Sequence, residues 1–486
     1  MAERRLHFER TMSDQEALMW ALEQDPVLRS TFAQLTLLDR PGDPGRFRDR
    51  MARCARLVPR LRQRVVDPIG GIGSPEWVDD PLFDLDFHVR HVSVPAPGTF
   101  RQLLDLAALL SSDPFDRARP LWQFTLIDGL ADGTGALLAK LHHTITDGEG
   151  GVRLSAMFVD LERDPGAPPA DPEEVDPETT PEAPVAEGDG LGRNPVAAVA
   201  DNLFGGVRGG LDLARRTLTG AGDAVAHPTT VPTRAADAID ASRSLFRQAA
   251  VTEPARSPLW GERSLRRHLE VLSISLDDVK RVAKALGGTV NDLFVTGAVG
   301  AAGAYHRAKG APVEALRMAM PVSTRTDRGS GGNAFAPTRL LVPTGIEDPV
   351  ERFDAVRELV GVTRGERVLG ITGGLATVLG ALPSPLLVRL ARQQVGTVDF
   401  TTSNVRGAPF ELYIAGAKVL ANHPLGPMAG TAFNLTTLSY KGQLDMGCLV
   451  DAAAVDDPAL LQRCLVEAYD ELLAAAPVGA GARTRT

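Results

Sequence analysis

The sequence is poor in the residues that several kinds of functional site require. Its 3 cysteines, among 486 residues, lie far apart and without CxxC spacing, which argues against a disulfide framework and against a cysteine-rich zinc site. The net charge is −9 and no tract is rich in lysine or arginine, so nucleic-acid binding is not expected. The contents of 44 % hydrophobic and 23 % charged residues are typical of a globular protein.

Long apolar runs are also scarce. Residues 1–20 are charged throughout and contain no apolar core, so we expect no secretory signal. A long uncharged stretch, residues 368–388, is interrupted by four glycines and two prolines. We interpret it as a buried segment. Contact with a membrane surface or a lipid droplet is the alternative, and a transmembrane span is not expected.

Several motifs of nucleophilic and nucleotide-binding enzymes are missing. The GxSxG elbow of serine hydrolases does not occur, and neither does a Walker A motif or a GxGxxG that opens a helix after a strand. The glycine-rich residues 328–333 lack the lysine of a phosphate-binding loop. These absences favour a reaction in which a base removes a proton from an acceptor, without a covalent enzyme intermediate.

The patterns that are present predict a mixed α/β protein in two halves. Residues 163–195 are acidic and rich in proline, so we expect a solvated, disordered linker there. Residues 1–162 before it form the predicted N-terminal subdomain. A helical connector is expected over residues 196–253, and a C-terminal subdomain over residues 254–486.

Local patterns predict the elements of the N-terminal half. Ser13, with Glu16 three residues later, predicts a capping box at the start of a helix over residues 13–24. Residues 121–127 and 136–143 are strand-like and are separated by a turn-rich segment, which predicts a β-hairpin. A further helix is predicted from residue 149, because apolar residues recur at helical spacing up to Leu161.

The loop LHHTITDGEGG, residues 141–151, concentrates ionisable groups beside flexible backbone. His142 and His143 lie at the end of the predicted hairpin, and Asp147 and Gly148 follow in the pattern HHxxxDG. A histidine at a strand end can act as a general base near neutral pH. A buried structural pair and a metal site of His142, His143 and Asp147 are the alternatives. Adjacent strand residues point to opposite faces, so the two imidazoles are poorly placed to bind one ion.

The loop and several other segments together resemble one family. HHxxxDG is the signature of acyltransferases of the chloramphenicol-acetyltransferase-like fold, and the other segments are similar to the bacterial wax ester synthase/diacylglycerol acyltransferase family. These segments are FDLDFHVRHVSVPAPG at 83–98, RARPLWQFTLIDGL at 117–130, GGTVNDLFVTGAVG at 287–300, MPVSTR at 320–325, TSNVRGAP at 402–409 and the tail LSYKGQLDMGCLVDAAAVDDP. The resemblance covers nearly the whole chain, in order, except the linker.

The resemblance implies roles for the residues of the His-His loop. Its fold has two subdomains with an active-site tunnel between them. His143 would be the general base and His142 would support the loop geometry. Asp147 would be structural and paired with an arginine, for which Arg62 is our prediction and Arg64 the second choice.

The resemblance also implies roles outside that loop. Asn291 would lie near the active site and position one of the substrates, although capping of the following helix is an alternative, and Asp292 beside it would be structural. Trp122 of the Pro-Leu-Trp motif is interpreted as a buried packing residue. The donor of the hydrogen bond to the oxyanion is unassigned, with Ser439 as a suggestion.

The implied reaction is the transfer of a long-chain fatty acyl group from acyl-CoA, as co-substrate, to a diacylglycerol or a long-chain alcohol. We expect no cofactor and no metal, and a cytoplasmic protein with peripheral association at the inner membrane face or at lipid droplets. A condensation-type acyltransferase with another alcohol or amine acceptor, or a weakly catalytic lipid-binding homologue, is the alternative. The chain departs from the family at Trp260, where asparagine is usual, and at Arg406, where proline is usual, which leaves the acceptor open.

Overall fold

The computed structural model describes residues 9–68, 73–145, 154–166, 254–323, 335–367 and 384–475. Most of the predicted linker and the whole predicted helical connector lie outside these residues. So do residues 368–383 of the uncharged stretch. The interpretations of these segments therefore stay predictions.

Helices begin at side chains that cap their first turn. Ser13 forms the predicted capping box with Glu16, and Thr289 forms the same motif with Asp292, so the first free N–H groups of both helices have acceptors. The helices in the described ranges are α1 (Asp14–Leu22), α2 (Pro44–Leu57), α3 (Leu85–His88), α4 (Phe100–Ser112), α5 (Leu276–Ala285), α6 (Val290–Ala308), α7 (Pro349–Arg367), α8 (Ser384–Val395) and α9 (Pro458–Ala474), with a 3-10 turn at Pro59–Leu61.

Strands form where β-branched and aliphatic residues dominate short runs. They are β1 (Thr31–Leu38), β2 (Gln63–Val66), β3 (Glu76–Asp79), β4 (Val89–Ser93), β5 (Trp122–Asp128), β6 (Gly135–His142), β7 (Arg267–Ser275), β8 (Leu316–Ser323), β9 (Phe335–Val342), β10 (Phe400–Arg406), β11 (Tyr413–Ile414), β12 (Ala417–Leu425), β13 (Phe433–Tyr440) and β14 (Gln443–Asp451). Every residue of β6 is buried, as expected of a strand covered on both faces.

The strands form two six-stranded sheets and a small ribbon. The first sheet has the order β11-β12-β1-β6-β5-β4, the second has the order β7-β14-β13-β10-β8-β9, and β2 pairs with β3. Strands β5 and β6 are antiparallel, with Trp122 opposite Leu141, which confirms the predicted hairpin. The His-His loop therefore leaves from a central strand of the first sheet.

The first sheet receives strands from both halves of the chain. Strand β12 pairs antiparallel with β1, with Ala33 opposite Leu425. The side chains of Gln34 and Thr36 each hydrogen-bond to the side-chain oxygen of Asn422 at 2.8 Å. The pairing of β1 with β12 therefore joins the two halves of the chain through a shared sheet. The subdomain boundaries themselves stay a prediction.

The helix predicted from residue 149 is wrong in its described part. Only Leu154 and Ser155 are helical there. Asp160 instead forms an antiparallel bridge with Tyr413, and its carboxylate pairs with Arg46 and Arg50. The backbone and ionic partners that Asp160 finds on distant segments outweigh the helical periodicity of this stretch.

The long helix α6 is glycine-rich because other elements approach it closely. A Cβ atom added at Gly297 would lie 2.2 Å from the ring of Tyr469 on α9. One added at Gly303 would lie 2.2 Å from the carbonyl oxygen of Thr344. Glycine at these positions therefore permits the packing of α6 in the core behind the second sheet, at the usual cost in helix propensity.

Candidate active site

His142, the last residue of β6, is fully buried and fixed by three hydrogen bonds. Its Nε2 lies 2.9 Å from Oε2 of Glu23, and its Nδ1 lies 2.7 Å from the hydroxyl of Thr144. The backbone N–H of Thr144 donates to the same Nδ1 at 3.2 Å. An amide N–H can only donate, so Nδ1 carries no proton and the proton resides on Nε2. His142 is therefore a neutral imidazole that donates to the Glu23 carboxylate.

Glu23 joins His142 to the segment that precedes β1. The same Oε2 atom accepts the backbone N–H of Ser30 at 2.9 Å, and the carbonyl oxygen of Ser30 accepts the backbone N–H of His143 at 3.0 Å. Arg29 lies 4.0 Å from the other carboxylate oxygen. The connection between α1 and β1 therefore determines the positions of both histidines.

His143 is half-buried and lies in a different environment from its neighbour. Its ring packs against Phe32 of β1, with ring centroids 4.6 Å apart and an interplanar angle of 39°. The ring of His142 instead meets Trp20 and Phe115 edge-on. This arrangement gives the two imidazoles separate roles and disfavours their joint binding of one ion.

Lys140 ties β6 to the end of α4, two residues before the histidine pair. Its ammonium group donates to the carbonyl oxygens of Leu110 at 3.0 Å and Asp113 at 3.1 Å, which are acceptors left free by the helix end. Burial lowers the pKa of Lys140 from 10.5 to about 8. The strand that carries His142 is thus anchored to the helix behind it.

Asn291 belongs to a second polar group, in the C-terminal half. Thr289 caps α6, and the carboxylate of Asp292 accepts the Thr289 N–H and hydroxyl at 2.9 and 2.8 Å, which gives Asp292 a structural role. The Asn291 side chain is therefore not the cap. Its amide lies 3.9 Å from the sulfur of Met320, and its oxygen accepts from the Asn404 amide at 3.3 Å.

Asn404 and Glu23 are the residues that sequence reasoning missed. Asn404 lies within the quoted motif TSNVRGAP, and its signal is an asparagine in the middle of a strand, where this residue type is disfavoured. Glu23 is the C-terminal cap residue of α1, next to Asp25. Two acidic residues at a helix C-terminus are unfavourable for the helix dipole, so their presence there indicates partners elsewhere.

Of the remaining predicted residues, Ser439 lies within the described ranges, and two others do not. Asp147 and Gly148 lie outside the described residues, so the pairing of Asp147 with Arg62 or Arg64 stays a prediction. The hydroxyl of Ser439 accepts the Gly407 N–H at 3.2 Å, and the oxyanion donor stays unassigned.

Two tryptophans of the quoted motifs are core residues. Trp122 is fully buried and donates from Nε1 to the carbonyl oxygen of Leu61 at 2.8 Å, in agreement with its interpretation as a packing residue. Trp260 is also fully buried, with its ring centroid 4.4 Å from that of His306 and 5.5 Å from that of Phe433. Trp260 is therefore part of the core of the second subdomain, whereas Arg406 is exposed at the end of β10.

The described residues contain neither a cluster of metal-binding side chains nor a helix that could span a membrane. Within the described ranges, no three His, Cys, Asp or Glu side chains come together as a metal site requires. Across the part of the chain that the structure covers, no helix is both long enough and apolar enough to cross a bilayer.

The sequence matches one family along most of its length. The wax ester synthase/diacylglycerol acyltransferase catalytic domain matches residues 12–294, and the WS/DGAT C-terminal domain matches residues 331–473. A putative diacylglycerol O-acyltransferase of Mycobacterium tuberculosis is 39 % identical over 461 residues, which cover 94 % of this chain and 91 % of the relative. A probable diacylglycerol O-acyltransferase of the same species is 30 % identical over 439 residues, with 87 % and 86 % covered.

Solved structures show the same fold. The wax ester synthase/diacylglycerol acyltransferase from Marinobacter aquaeolei is similar with a TM-score of 0.64 at 21 % identity, over 97 % of this chain and 100 % of that one. The first condensation domain of the CDA synthetase has a TM-score of 0.56 at 14 % identity, over 97 % and 98 %. The fold is thus the predicted mixed α/β fold with two subdomains of chloramphenicol-acetyltransferase type. The chain belongs to the wax ester synthase/diacylglycerol acyltransferase family, whose members are acyl-CoA-dependent acyltransferases.

Proposed function

We propose that this protein transfers a long-chain fatty acyl group from coenzyme A to the hydroxyl of a diacylglycerol or a long-chain alcohol, with His143 as the general base. The observation that carries the proposal is the division of roles in the histidine pair. Glu23 and Thr144 hold His142 as a neutral, buried support. The next residue, His143, is half-buried. Its backbone N–H donates to the carbonyl oxygen of Ser30, and its ring packs against Phe32.

The reaction needs one base and a site that orients two substrates. As the hydroxyl oxygen of the acceptor attacks the thioester carbonyl carbon, its proton passes to the imidazole of His143. The tetrahedral intermediate then collapses, the C–S bond breaks, and the proton is returned to the departing coenzyme A sulfur. A thiolate is a good leaving group, so the protein supplies mainly position, a base and a hydrogen bond to the oxyanion.

Asn291 and Asn404 are proposed to orient one of the substrates from the second subdomain. Their amides are already hydrogen-bonded to each other, and Asn404 is exposed. Paired amides present both a donor and an acceptor, which suits an ester, a thioester or a hydroxyl group. This role rests on the positions of the two residues. Asn291 lies at the start of α6, and Asn404 lies on the neighbouring strand β10.

Diacylglycerol is the acceptor that the names of the mycobacterial relatives support, and the Marinobacter protein adds the long-chain alcohol of a wax ester. Both are apolar, so we expect peripheral association with the inner membrane face or with lipid droplets. Phe410 and Leu420 are exposed apolar side chains that would meet the lipid in such contact.

The experiment is an acceptor panel with product identification. Purified protein would be incubated with palmitoyl-CoA and with hexadecanol, a diacylglycerol, a long-chain amine or no acceptor. Coenzyme A release would be followed with a thiol reagent and the lipids separated by thin-layer chromatography. Formation of a wax ester or a triacylglycerol, dependent on the acceptor, is expected. Amide formation alone, or release without any acylated product, would contradict the proposal. Co-flotation of the protein with vesicles of anionic phospholipid tests the membrane contact.

A further inference from the structure

An ion pair connects the C-terminal half of the chain to the segment that positions the histidines. Asp25 follows α1 and is buried, with 7 % of its surface exposed. Arg392 on α8 binds both of its carboxylate oxygens, with Nη2 3.0 Å from Oδ1 and Nε on Oδ2. Burial acts to raise the pKa of Asp25, but the hydrogen bonds from Arg392 and from the Val27 N–H outweigh it, so the net shift of this pKa is downward. The carboxylate is therefore charged at neutral pH and depends on Arg392.

Hydrogen bonds at both ends of the short segment from Asp25 to Ser30 connect the ion pair to the proposed base. Oδ1 of Asp25 accepts the Val27 N–H at 2.9 Å, and its carbonyl oxygen accepts the Leu28 N–H at 3.0 Å. These bonds fold the segment that continues into Ser30. The Ser30 carbonyl then accepts the His143 N–H at 3.0 Å. A shift of Asp25 is therefore expected to move the Ser30 carbonyl oxygen, which accepts the hydrogen bond of the His143 N–H.

A close apolar contact lies beside the ion pair. Gly430 has a φ of +71°, and a Cβ atom there would lie 3.0 Å from Cγ1 of Val27 and 3.4 Å from Cγ2 of Val395, at the end of α8. The carbonyl oxygen of Gly430 accepts from Nε of Arg263 at 2.7 Å. The turn at Gly430 thus lies against both the segment after α1 and the end of α8. Asp25 and Arg392 belong to a packed junction, unlike the isolated ion pairs of a protein surface.

We propose that the Asp25–Arg392 pair is a clamp through which α8 sets the position of His143, so that both are positioning residues for the reaction. The expected loss in kcat rests on the proposed function. The expected displacement of His143 rests on the structure alone. Loss of the clamp displaces the Ser30 carbonyl and with it the imidazole. A base that is displaced by a fraction of an ångström slows proton transfer while leaving the binding of the acyl chain unchanged.

The test uses variants that remove the ion pair and change the local shape little. Asp25→Asn retains an acceptor for the Val27 N–H and loses the charge. Arg392→Met retains the aliphatic stem of a half-exposed side chain. Arg389→Met is the matched control, because Arg389 is exposed on the same helix. The double variant Asp25→Asn/Arg392→Met completes a double-mutant cycle.

Two measurements would be made on the full chain. The first is kcat and KM for palmitoyl-CoA with the best acceptor. We expect each single variant and the double variant to lose about 10-fold in kcat, with KM changed by less than about 2-fold, because the two residues act as one unit. The second is hydrogen exchange of the His143 amide, followed by mass spectrometry of the peptide that contains it. We expect about 10-fold faster exchange in the three variants and no change in the control.

The outcomes separate the clamp from the proposed function. Equal loss in the single and double variants, with faster exchange at His143, supports the clamp. Wild-type kcat and wild-type exchange in Arg392→Met overturn it, as does a double variant whose loss is the product of the two single losses. If the wild-type protein transfers no acyl group, the proposed function fails. The hydrogen exchange measurement then still shows whether the ion pair positions His143.

Discussion

Replacement of Glu23 tests whether His142 is the neutral support that its hydrogen bonds indicate. One carboxylate oxygen accepts both the Nε2–H of His142 and the N–H of Ser30, each at 2.9 Å. Glutamine offers a single side-chain oxygen of the same reach, so Glu23→Gln can retain both bonds. Glu23→Ala removes the acceptor of the buried His142 Nε2–H and of the half-buried Ser30 N–H.

The expected magnitudes follow from this geometry. A buried donor without an acceptor costs about 1–3 kcal/mol. The buried His142 donor, with a smaller contribution from the half-buried Ser30 donor, therefore lowers the free energy of unfolding of Glu23→Ala by about 1–4 kcal/mol. Glu23→Gln should cost less than about 1 kcal/mol, chiefly because its amide nitrogen faces Arg29 where an oxygen lay 4.0 Å away. Were His142 an imidazolium, the glutamine would leave a buried charge unpaired, at a cost of about 3–5 kcal/mol.

The assay is chemical unfolding of both variants beside the wild type, followed by tryptophan fluorescence, with Glu358→Ala on the exposed face of α7 as the control. Coenzyme A release would be measured on the same samples. We expect near wild-type stability and activity for Glu23→Gln and a large loss of both for Glu23→Ala. An equal and large loss of stability in the two variants would refute the neutral tautomer of His142.

Three further predictions concern Lys140, Asn291 and Trp260. Because burial lowers the pKa of Lys140 to about 8, the unfolded chain binds more protons between pH 8 and its unfolded value near 10.5. The free energy of unfolding should then rise by up to about 3 kcal/mol across that window, and Lys140→Met should lack the rise in a pH series of unfolding curves. Asn291→Ala should lower kcat/KM by about 10-fold with less than about 1 kcal/mol lost in stability; wild-type kinetics would exclude a positioning role. Trp260→Phe should destabilise by about 1–3 kcal/mol and leave the ratio of wax ester to triacylglycerol unchanged, whereas an altered ratio would place Trp260 at the acceptor.

Features that depend on residues near in sequence could be predicted from the sequence. The capping box of Ser13 and Glu16 involves positions three apart. The hairpin of β5 and β6 needs only two strand-like runs and a turn between them. The position of the His-His loop at the end of a strand followed from this hairpin. In each case, local propensity and periodicity decide the structure.

Features that depend on distant residues could not be predicted. Glu23 and His142 are 119 positions apart, and Arg392 is 367 positions from Asp25. A local sequence pattern does not reveal such distant pairs. The acidic residues at the C-terminal end of α1, Glu23 and Asp25, indicate only that partners lie elsewhere. The entry of β12 into the first sheet and the bridge of Asp160 to Tyr413 also depend on tertiary partners, which override the periodicity of single segments.

The role of His143 as the general base is tested most directly by the rate of coenzyme A release by His143→Ala, with palmitoyl-CoA and the acceptor that the wild type uses best. We expect the rate to fall by about 10²–10⁴-fold, because His143 acts on the acceptor proton. The unfolding midpoint should stay close to that of the wild type, because His143 is half-buried. A folded His143→Ala protein that retains more than about one tenth of the wild-type rate would contradict the assignment of His143 as the general base.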